Sequence, residues 1–308
     1  MSTSPITVSY LTLDVFTKTG FLGNPLAIVL LPSPHSSQVS QQQKQNIARE
    51  FNFSETVFIY DQEKSPESGE TFPISIFMVS AELPFAGHPT IGAGWYLLSK
   101  TGLDKITLRA KAGDILVTKE GDRVRLKVPS DLKVHQSYYK KMLKEKQLAL
   151  EDKDYVNGAA DAEPVVSIVK GMSFIMMELS SVEALGKLQH YGEPITIPDE
   201  HLGDWKGFGA LYAFVKTPDG TIRTRLLEGT FEDPATGSAA SALGGWLGQS
   251  KGDGNWKFDI VQGVEMGRRS EITVFVSVSQ GEIYWMSYFR KFASTTSPFR
   301  SGGFQAVT

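Results

Sequence analysis

Three ionisable side chains lie in settings that suit acid–base chemistry. Glu55 lies in FNFSETVFIY, between a serine and a β-branched apolar strand. We expect its carboxylate to be partly desolvated, which raises the pKa and suits a general acid or base. His88 precedes a proline in ELPFAGHPTIGAGWYLL, and Asp233 precedes one in EDPATGS. Each residue also has an ordinary structural explanation, as a strand-edge glutamate, a turn-filling histidine or an Asx-turn aspartate.

Gly87 and Gly237 each stand where a run of small apolar residues begins, which predicts two helix starts. The first backbone N–H groups of a helix have no partner within it, and the helix dipole favours an anion there. These amides could therefore face an anionic ligand. Thr236 or Ser238 is of a type that caps helices, so an ordinary capped start without a ligand is the alternative.

Other chemistries lack the residues they need. The chain has no cysteine, which excludes disulfides, thiolate nucleophiles and racemases that use two thiols. Its five histidines show no metal-ligand spacing, so we expect no metal site. Neither a phosphate-binding G-x-x-x-x-G-K-[ST] nor a complete G-x-G-x-x-G occurs, which leaves no support for a nucleotide cofactor.

Alternating apolar segments around the candidate residues predict a β-rich chain with few helices. One helix is predicted over 37–51, and another over the charged stretch 136–153, as a solvated helix near a domain boundary. The runs that follow Gly87 and Gly237 predict two more. Because small residues let neighbouring backbone approach closely, we expect strands to surround these two helices.

The two small-residue helices also resemble each other. GHPTIGAGWYL lies over GSAASALGGWL with two glycines and a leucine in register, and His88 aligns with Ser238. Such an internal repeat predicts two similar lobes, each with a helix at its centre. Glycine- and alanine-rich helices resemble one another through composition as well, which is the alternative.

The overall composition bounds the class of protein. A length of 308 residues suggests two domains, and 41% apolar with 21% charged residues predicts a globular chain. A net charge of -3 gives no electrostatic basis for binding nucleic acid or an anionic membrane. No apolar run reaches the ~18 residues that cross a bilayer, and no signal-peptide pattern occurs, so we expect a cytoplasmic protein.

Five blocks in order carry a family resemblance: LDVFT...GNPLAIVL, NFSETVFI, ELPFAGHPTIGA, EDPATGSAASALGGWL and QGVEMGR. With these blocks the chain resembles the phenazine-biosynthesis isomerase, or PhzF-like, family of the diaminopimelate epimerase-like fold. The resemblance implies an α+β fold with two pseudo-symmetric lobes, each a β-barrel-like mixed sheet wrapped around a central helix, and an active site in the cleft between them. The expected lobes are 1–130 with about 292–308, and 131–291.

The resemblance also implies roles for the candidate residues. Glu55, in the matching SET motif, would be the acid/base that moves a proton along a conjugated cyclic amino-hydroxy acid. The groups that bind and orient the substrate would be Ser54, His88, Asp233 and Ser238, with the amides of Gly87 and Gly237 on its carboxylate. Such enzymes use no metal or cofactor and are usually homodimers. We therefore expect a homodimer that acts on a small carboxylated molecule.

Some positions depart from the family pattern and leave the substrate open. Ser75 and Met78-Val79 stand where relatives commonly have a basic residue and Thr-Pro, and Arg269 stands where GRPS is usual. Two other functions also stay open. One is an epimerase or racemase of the same fold, which needs an acid and a base on opposite faces of one carbon. The other is a noncatalytic metabolite-binding protein, which has less need of an intact acid–base set.

Overall fold

The computed structural model describes residues 6–33, 38–60, 70–121, 123–127, 131–156, 162–291 and 300–306. The chain divides into two compact units: unit 1 comprises Met1–Lys127 and Arg290–Thr308, and unit 2 comprises Val128–Phe289.

Unit 1 is built on a mixed sheet. Its first eight strands are β1 (Ile6–Val15), β2 (Asn24–Leu31), β3 (Thr56–Tyr60), β4 (Thr71–Phe77), β5 (Glu82–Leu83), β6 (Lys105–Ala110), β7 (Gly113–Glu120) and β8 (Arg123–Lys127). β1 runs antiparallel to β2, β2 parallel to β3, and β3 antiparallel to β4. β4 is antiparallel to β5 and parallel to β6, and β6, β7 and β8 follow as antiparallel neighbours.

Helix α1 (Gln41–Phe51) connects the parallel strands β2 and β3, which require such a crossover. It begins at a capping box, because the Ser40 hydroxyl accepts from the Gln43 N–H and the Gln43 side chain accepts from the Ser40 N–H. It ends at Asn52, whose φ of 51° is left-handed. The helix expected over 37–51 therefore starts later, and residue 37 lies outside the described residues.

Helix α2 (Gly87–Thr101) packs against β1, β2, β3, β6, β7 and β8. Every residue in its first two turns, from Gly87 to Gly94, is buried. A Cβ atom added at Gly92 would lie 2.3 Å from Leu26 Cδ2, so the strand packing requires glycine there. The strands therefore surround this helix, as its small residues predicted.

Unit 2 repeats this scheme. Its strands are β9 (Lys133–Tyr139), β10 (Ala162–Val169), β11 (Met172–Glu178), β12 (Phe208–Lys216), β13 (Ile222–Glu228), β14 (Phe231–Asp233), β15 (Gly254–Gln262), β16 (Ser270–Ser279) and β17 (Glu282–Lys291). β9, β10 and β11 are antiparallel neighbours, β11 is parallel to β12, and β12 is antiparallel to β13. β13 is antiparallel to β14 and parallel to β15, and β15, β16 and β17 are antiparallel neighbours.

The helices described in unit 2 are α3 (Lys140–Lys146), α4 (Val182–Gly186), α5 (Asp199–Leu202) and α6 (Gly237–Lys251). The helix expected over 136–153 is wrong in most of its length. Its first residues belong to β9, where pairing with β10 and burial of Tyr138 override the local charge pattern. Only the seven residues of α3 are α-helical, and a short 3-10 helix follows at Asp152–Asp154.

The two units share one order of strand pairing. The series from β1 to β8 around α2 is matched, step by step, by the series from β10 to β17 around α6. Outside the first strand of each series lies one more antiparallel strand, β18 (Arg300–Ala306) on β1 and β9 on β10. Equivalent glycines also make equivalent contacts. A Cβ atom would lie 2.7 Å from Val117 Cγ1 at Gly94 and 2.8 Å from Val274 Cγ1 at Gly244. The sequence echo thus marks a structural repeat.

Candidate active site

Glu55 and His88 form a hydrogen-bonded pair in unit 1. Glu55 is the last residue before β3, and His88 is the second residue of α2. The packing of α2 on β3 brings them together. Glu55 Oε2 lies 2.9 Å from His88 Nδ1, and the relative exposures of the two side chains are 19% and 4%. The carboxylate can therefore be reached from solvent while the imidazole is held below it.

The second ring nitrogen of His88 has no partner among the described residues. Nε2 is fully buried and unbonded, whereas Nδ1 is engaged by Glu55. Buried polar atoms without a hydrogen bond are uncommon. Nε2 is therefore a buried ring nitrogen whose hydrogen-bonding capacity is unused, and the contact of Nδ1 with Glu55 fixes the orientation of the ring.

The pKa of Glu55 is shifted in the direction opposite to our expectation. Burial raises the pKa, as the sequence predicted, but the hydrogen bond and the charge of His88 lower it, and a hydrogen bond from Ser54 lowers it further. The net result is a pKa below the ordinary value for glutamate. Glu55 is thus held as a carboxylate, ready to accept a proton.

Ser54 is itself held in place by Asn24, a residue that the sequence reasoning missed. The Ser54 hydroxyl lies 3.2 Å from Asn24 Oδ1, and Asn24 is fully buried as the first residue of β2. Its position in the GNPLAIVL block was the available signal. β2 and β3 are parallel neighbours, so Asn24 and Ser54 lie near the same end of the sheet.

The start of α2 carries no side-chain cap. Ala86 occupies the capping position, and Gly87 is the first helical residue. Pro89 has no N–H, and the Thr90 N–H donates to the Ala86 carbonyl. The amides of Gly87 and His88 have no partner within the helix. This start is consistent with the predicted contact to an anionic group.

In unit 2, Asp233 and the start of α6 form a different arrangement. Asp233 ends β14, and α6 begins at Gly237 with Ser238 second, where α2 has Gly87 and His88. Thr236 occupies the capping position, yet its side chain does not cap the helix. Its hydroxyl instead donates to Asp233 Oδ2 at 2.6 Å. The helix cap expected from Thr236 or Ser238 is therefore wrong, because the carboxylate competes for the threonine hydroxyl.

Two further buried residues, Gln262 and Tyr212, complete this arrangement. Gln262 is fully buried at the end of β15 and donates to the Asp233 carbonyl at 2.7 Å. Tyr212 donates to Gln262 Oε1 at 3.1 Å, and burial raises the pKa of its phenol. Neither was singled out from the sequence, although Gln262 opens the QGVEMGR block.

Each unit thus brings together its own predicted residues. Unit 1 holds Ser54, Glu55, Gly87 and His88, and unit 2 holds Asp233, Gly237 and Ser238. A shared cleft remains a prediction from the family resemblance. A surface cleft in unit 2, lined by Ile197, Phe208 and Glu228 among others, includes no predicted site residue.

No three histidine, aspartate or glutamate side chains among the described residues are placed to hold a metal ion. No helix in the same ranges is long and apolar enough to cross a membrane.

The chain thus forms two like α+β units, one of which holds a carboxylate–imidazole pair at an open helix start. The chain belongs to the phenazine biosynthesis-like protein family, whose model matches residues 13–284. The family, the α+β fold class and the isomerase class expected from the sequence are thereby confirmed.

Named relatives agree with this assignment. The chain is 32% identical to an uncharacterised isomerase of Pasteurella multocida over 279 residues, covering 88% of each chain. It is 27% identical to the trans-2,3-dihydro-3-hydroxyanthranilate isomerase of Pseudomonas aeruginosa, covering 85% of this chain and 88% of that one. A Bacillus anthracis phenazine biosynthesis protein of the PhzF family has the same fold, with a TM-score of 0.76, 18% identity, and coverage of 98% of this chain and all of that one.

Proposed function

We propose that this protein is a cofactor-independent isomerase that moves a proton within a small, cyclic, carboxylated metabolite. Glu55 accepts the proton from one carbon and returns it to another. The observation that carries the proposal is the Glu55–His88 pair, with 2.9 Å between Oε2 and Nδ1 and a buried, unbonded Nε2. An acid/base of this kind contributes about 10²–10⁴-fold to a proton transfer.

The proton movements balance without a redox partner. Glu55 starts as a carboxylate, because His88 and Ser54 hold its pKa low. Its oxygen takes the proton as a C–H bond breaks, and the electron pair spreads over the conjugated ring. The double bond then shifts, and the protonated Glu55 gives the proton to a second carbon. The hydrogen bond to His88 stabilises the carboxylate before and after the cycle.

The helix starts supply the support for a carboxylated substrate. The amides of Gly87 and His88 and the His88 Nε2 atom offer hydrogen-bonding groups at the positive end of α2. Donors of this type also stabilise the charge that develops as the proton leaves. We further propose that Asp233, Ser238 and the Gly237 amide bind and orient the same substrate.

The relative that is named trans-2,3-dihydro-3-hydroxyanthranilate isomerase suggests the first probe. The compound in that name, trans-2,3-dihydro-3-hydroxyanthranilate, is cyclic, carries a carboxylate and has a double-bond system along which a proton can move. The departures at Ser75 and Met78-Val79 leave other members of this substrate class to be tested in parallel.

The test replaces Glu55 with glutamine, which retains the size of the side chain and removes the base. We expect Glu55→Gln to bind the probe with affinity within about threefold of wild type and to lose about 10³-fold or more in kcat. Calorimetry measures binding, and absorbance measures the migration of the double bonds. Glu50→Gln makes the same chemical change at an exposed position of α1 and is the matched control.

The outcomes separate the competing functions. Wild-type turnover by Glu55→Gln contradicts the proposal. Loss of optical activity at one carbon, with no double-bond migration, would instead identify an epimerase or racemase. Binding without conversion or proton exchange, across probes of this class, would identify a metabolite-binding protein. The cytoplasmic homodimer stays a prediction, and light scattering of the purified chain tests the dimer.

A further inference from the structure

Three of the four hydrogen bonds that the Gln262 side chain makes go to the segment that carries Asp233. Its Nε2 donates to the Asp233 carbonyl at 2.7 Å and to Thr236 Oγ1 at 3.0 Å. Its Oε1 accepts from the Thr236 N–H at 3.2 Å and from the Tyr212 hydroxyl at 3.1 Å. Gln262 and Tyr212 are both fully buried, so these contacts are shielded from water.

The backbone groups fix the direction of every bond in this network. A carbonyl can only accept and an N–H can only donate, so the Asp233 carbonyl must face Nε2 and the Thr236 N–H must face Oε1. Thr236 Oγ1 then accepts from Nε2 and has one proton to donate. Thr236 Oγ1 donates that proton to Asp233 Oδ2, with 2.6 Å between the two oxygens. Gln262 therefore fixes the Thr236 hydroxyl as a donor to the Asp233 carboxylate. We call these two hydrogen bonds, from Gln262 to Thr236 and from Thr236 to Asp233, the Gln262–Thr236 relay.

A second contact anchors the strand that ends at Asp233. The neighbouring Glu232 forms a two-bond ion pair with Arg225, at 2.8 Å for each bond, and both side chains are buried. Arg225 Nη1 also donates to the carbonyls of Leu185 and Leu188. β14 is thus fixed to β13 and α4, and the Thr236 hydroxyl that Gln262 orients contacts the Asp233 side chain itself.

We propose that Gln262 is a positioning residue, which acts through Thr236 to hold the Asp233 carboxylate in its substrate-binding orientation. This role rests on the proposed function of Asp233 and extends it to Gln262 and Thr236. The Tyr212 hydroxyl donates to Oε1 of Gln262 and so helps to fix the orientation of the Gln262 amide.

The first test reads the carboxylate itself and needs no substrate. The full chain is labelled with ¹³C at aspartate side chains, and the signal lost in Asp233→Asn identifies that residue. A donated hydrogen bond favours the carboxylate over the acid. We therefore expect the titration of Asp233 to shift to higher pH, by about one unit, in Thr236→Val. Thr236→Ser retains the hydroxyl and should retain the wild-type titration.

Gln262→Met is the second variant, and it leaves Thr236 in place but removes the donor that orients it. We expect a shift in the same direction. Asp253 is an internal control for folding, because the amides of Gln280 and Gly281 hold its pKa low and it lies just before the start of β15, whereas Gln262 lies at the end of that strand. An unchanged Asp233 titration in Thr236→Val, with an unchanged Asp253 signal, would overturn the proposal.

The kinetic arm separates this proposal from the proposed function. With trans-2,3-dihydro-3-hydroxyanthranilate as probe, Thr236→Val should raise KM about 3–10-fold and leave kcat within about twofold. If Asp233→Asn itself retains the wild-type KM, the binding role of Asp233 is wrong. The titration of Asp233 in the Thr236 and Gln262 variants still decides whether the relay orients it.

Discussion

Helices α2 and α6 begin alike in backbone and differ in side chains. Each starts with a buried glycine and lacks a side-chain cap. At α2 the second residue is His88, which pairs with an ionised Glu55 and retains an unbonded nitrogen. At α6 the second residue is Ser238, and the nearby Asp233 is held by a threonine hydroxyl within a network of buried amides.

Under the proposed function, the starts of α2 and α6 have different roles: proton transfer at α2 and substrate binding at α6. Glu55, the proposed proton-transfer group, lies 2.9 Å from the His88 imidazole, which stabilises its carboxylate form. Asp233, the proposed binding group, accepts from the Thr236 hydroxyl, and Gln262 orients that hydroxyl. Donors that fix a side chain in one direction suit a binding role. The repeated fold gives two helix starts without a side-chain cap. The residues beside each start, such as His88 at α2 and Ser238 at α6, determine the role that we propose for it.

The largest effect that would sharpen this comparison is expected at His88. His88→Leu removes both the hydrogen bond and the charge beside Glu55, so burial dominates and the pKa of Glu55 rises. We expect kcat to fall about 10–100-fold and the acid limb of kcat/KM to move to higher pH. His88→Gln is the matched variant, because its amide can still donate to Glu55. Equal pH profiles in wild type and His88→Leu would contradict the pairing.

The same variant has a consequence for stability. In wild type the folded-state pKa of Glu55 lies below the unfolded value near 4.5, so the pair stabilises the fold above that pH and loses this contribution as the pH falls through the folded-state pKa. His88→Leu reverses the sign of the shift. The difference in unfolding free energy between wild type and variant should therefore shrink as the medium is acidified below about pH 4.5.

A smaller effect tests whether the two helices are packed equivalently. Gly94→Ala and Gly244→Ala each place a methyl group within 2.8 Å of a valine on the facing strand. We expect each to cost about 1–3 kcal/mol of unfolding free energy, by similar amounts. Urea unfolding measures the cost, with Trp95 on α2 and Trp246 on α6 as fluorescent reporters.

Gly186→Ala is the control for this pair, since a Cβ atom there has no neighbour within 4 Å. It should change the unfolding free energy little. A cost at Gly94 without a matching cost at Gly244 would break the proposed equivalence of the two helices.

The smallest effect concerns helices that do have caps. Ser40 caps α1 and Ser181 caps α4, each accepting from a backbone N–H in the first turn. Replacing either with alanine should cost about 1 kcal/mol. Neither change should alter kcat or KM, because these starts are closed to ligands. A kinetic effect from Ser40→Ala would indicate that capped and open starts are not distinct in function.

Local patterns in the sequence predicted much of this design. The small-residue runs identified α2, α6 and their equivalence, because close packing against strands restricts those positions to small side chains. Alternation and the SET motif placed Glu55 at the start of a strand. The helix predicted over 136–153 is wrong in most of its length because pairing between β9 and β10 outweighs the helical propensity of charged residues.

The parts that could not be predicted depend on distant contacts. Glu55 and His88 are separated by 33 residues and meet only through packing of α2 on β3. The direction of the Glu55 pKa shift depends on that contact, which no local pattern contains. Thr236 is of a residue type that caps helices and occupies the capping position of α6. Its hydroxyl nevertheless donates to Asp233, and this bond depends on how the backbone places the aspartate. The role of Gln262 could not be predicted for the same reason, because its hydrogen-bond partners Asp233, Thr236 and Tyr212 are distant in the sequence.

The most direct test of these two roles, proton transfer at α2 and substrate binding at α6, is deuterium incorporation in heavy water. Wild type, Glu55→Gln and Asp233→Asn are incubated with saturating trans-2,3-dihydro-3-hydroxyanthranilate, and mass spectrometry follows deuterium at ring carbons. We predict incorporation that is about 10³-fold slower in Glu55→Gln and within about tenfold of wild type in Asp233→Asn. Wild-type incorporation by Glu55→Gln, or equal loss in both variants, would contradict the assignment of proton transfer to unit 1 alone.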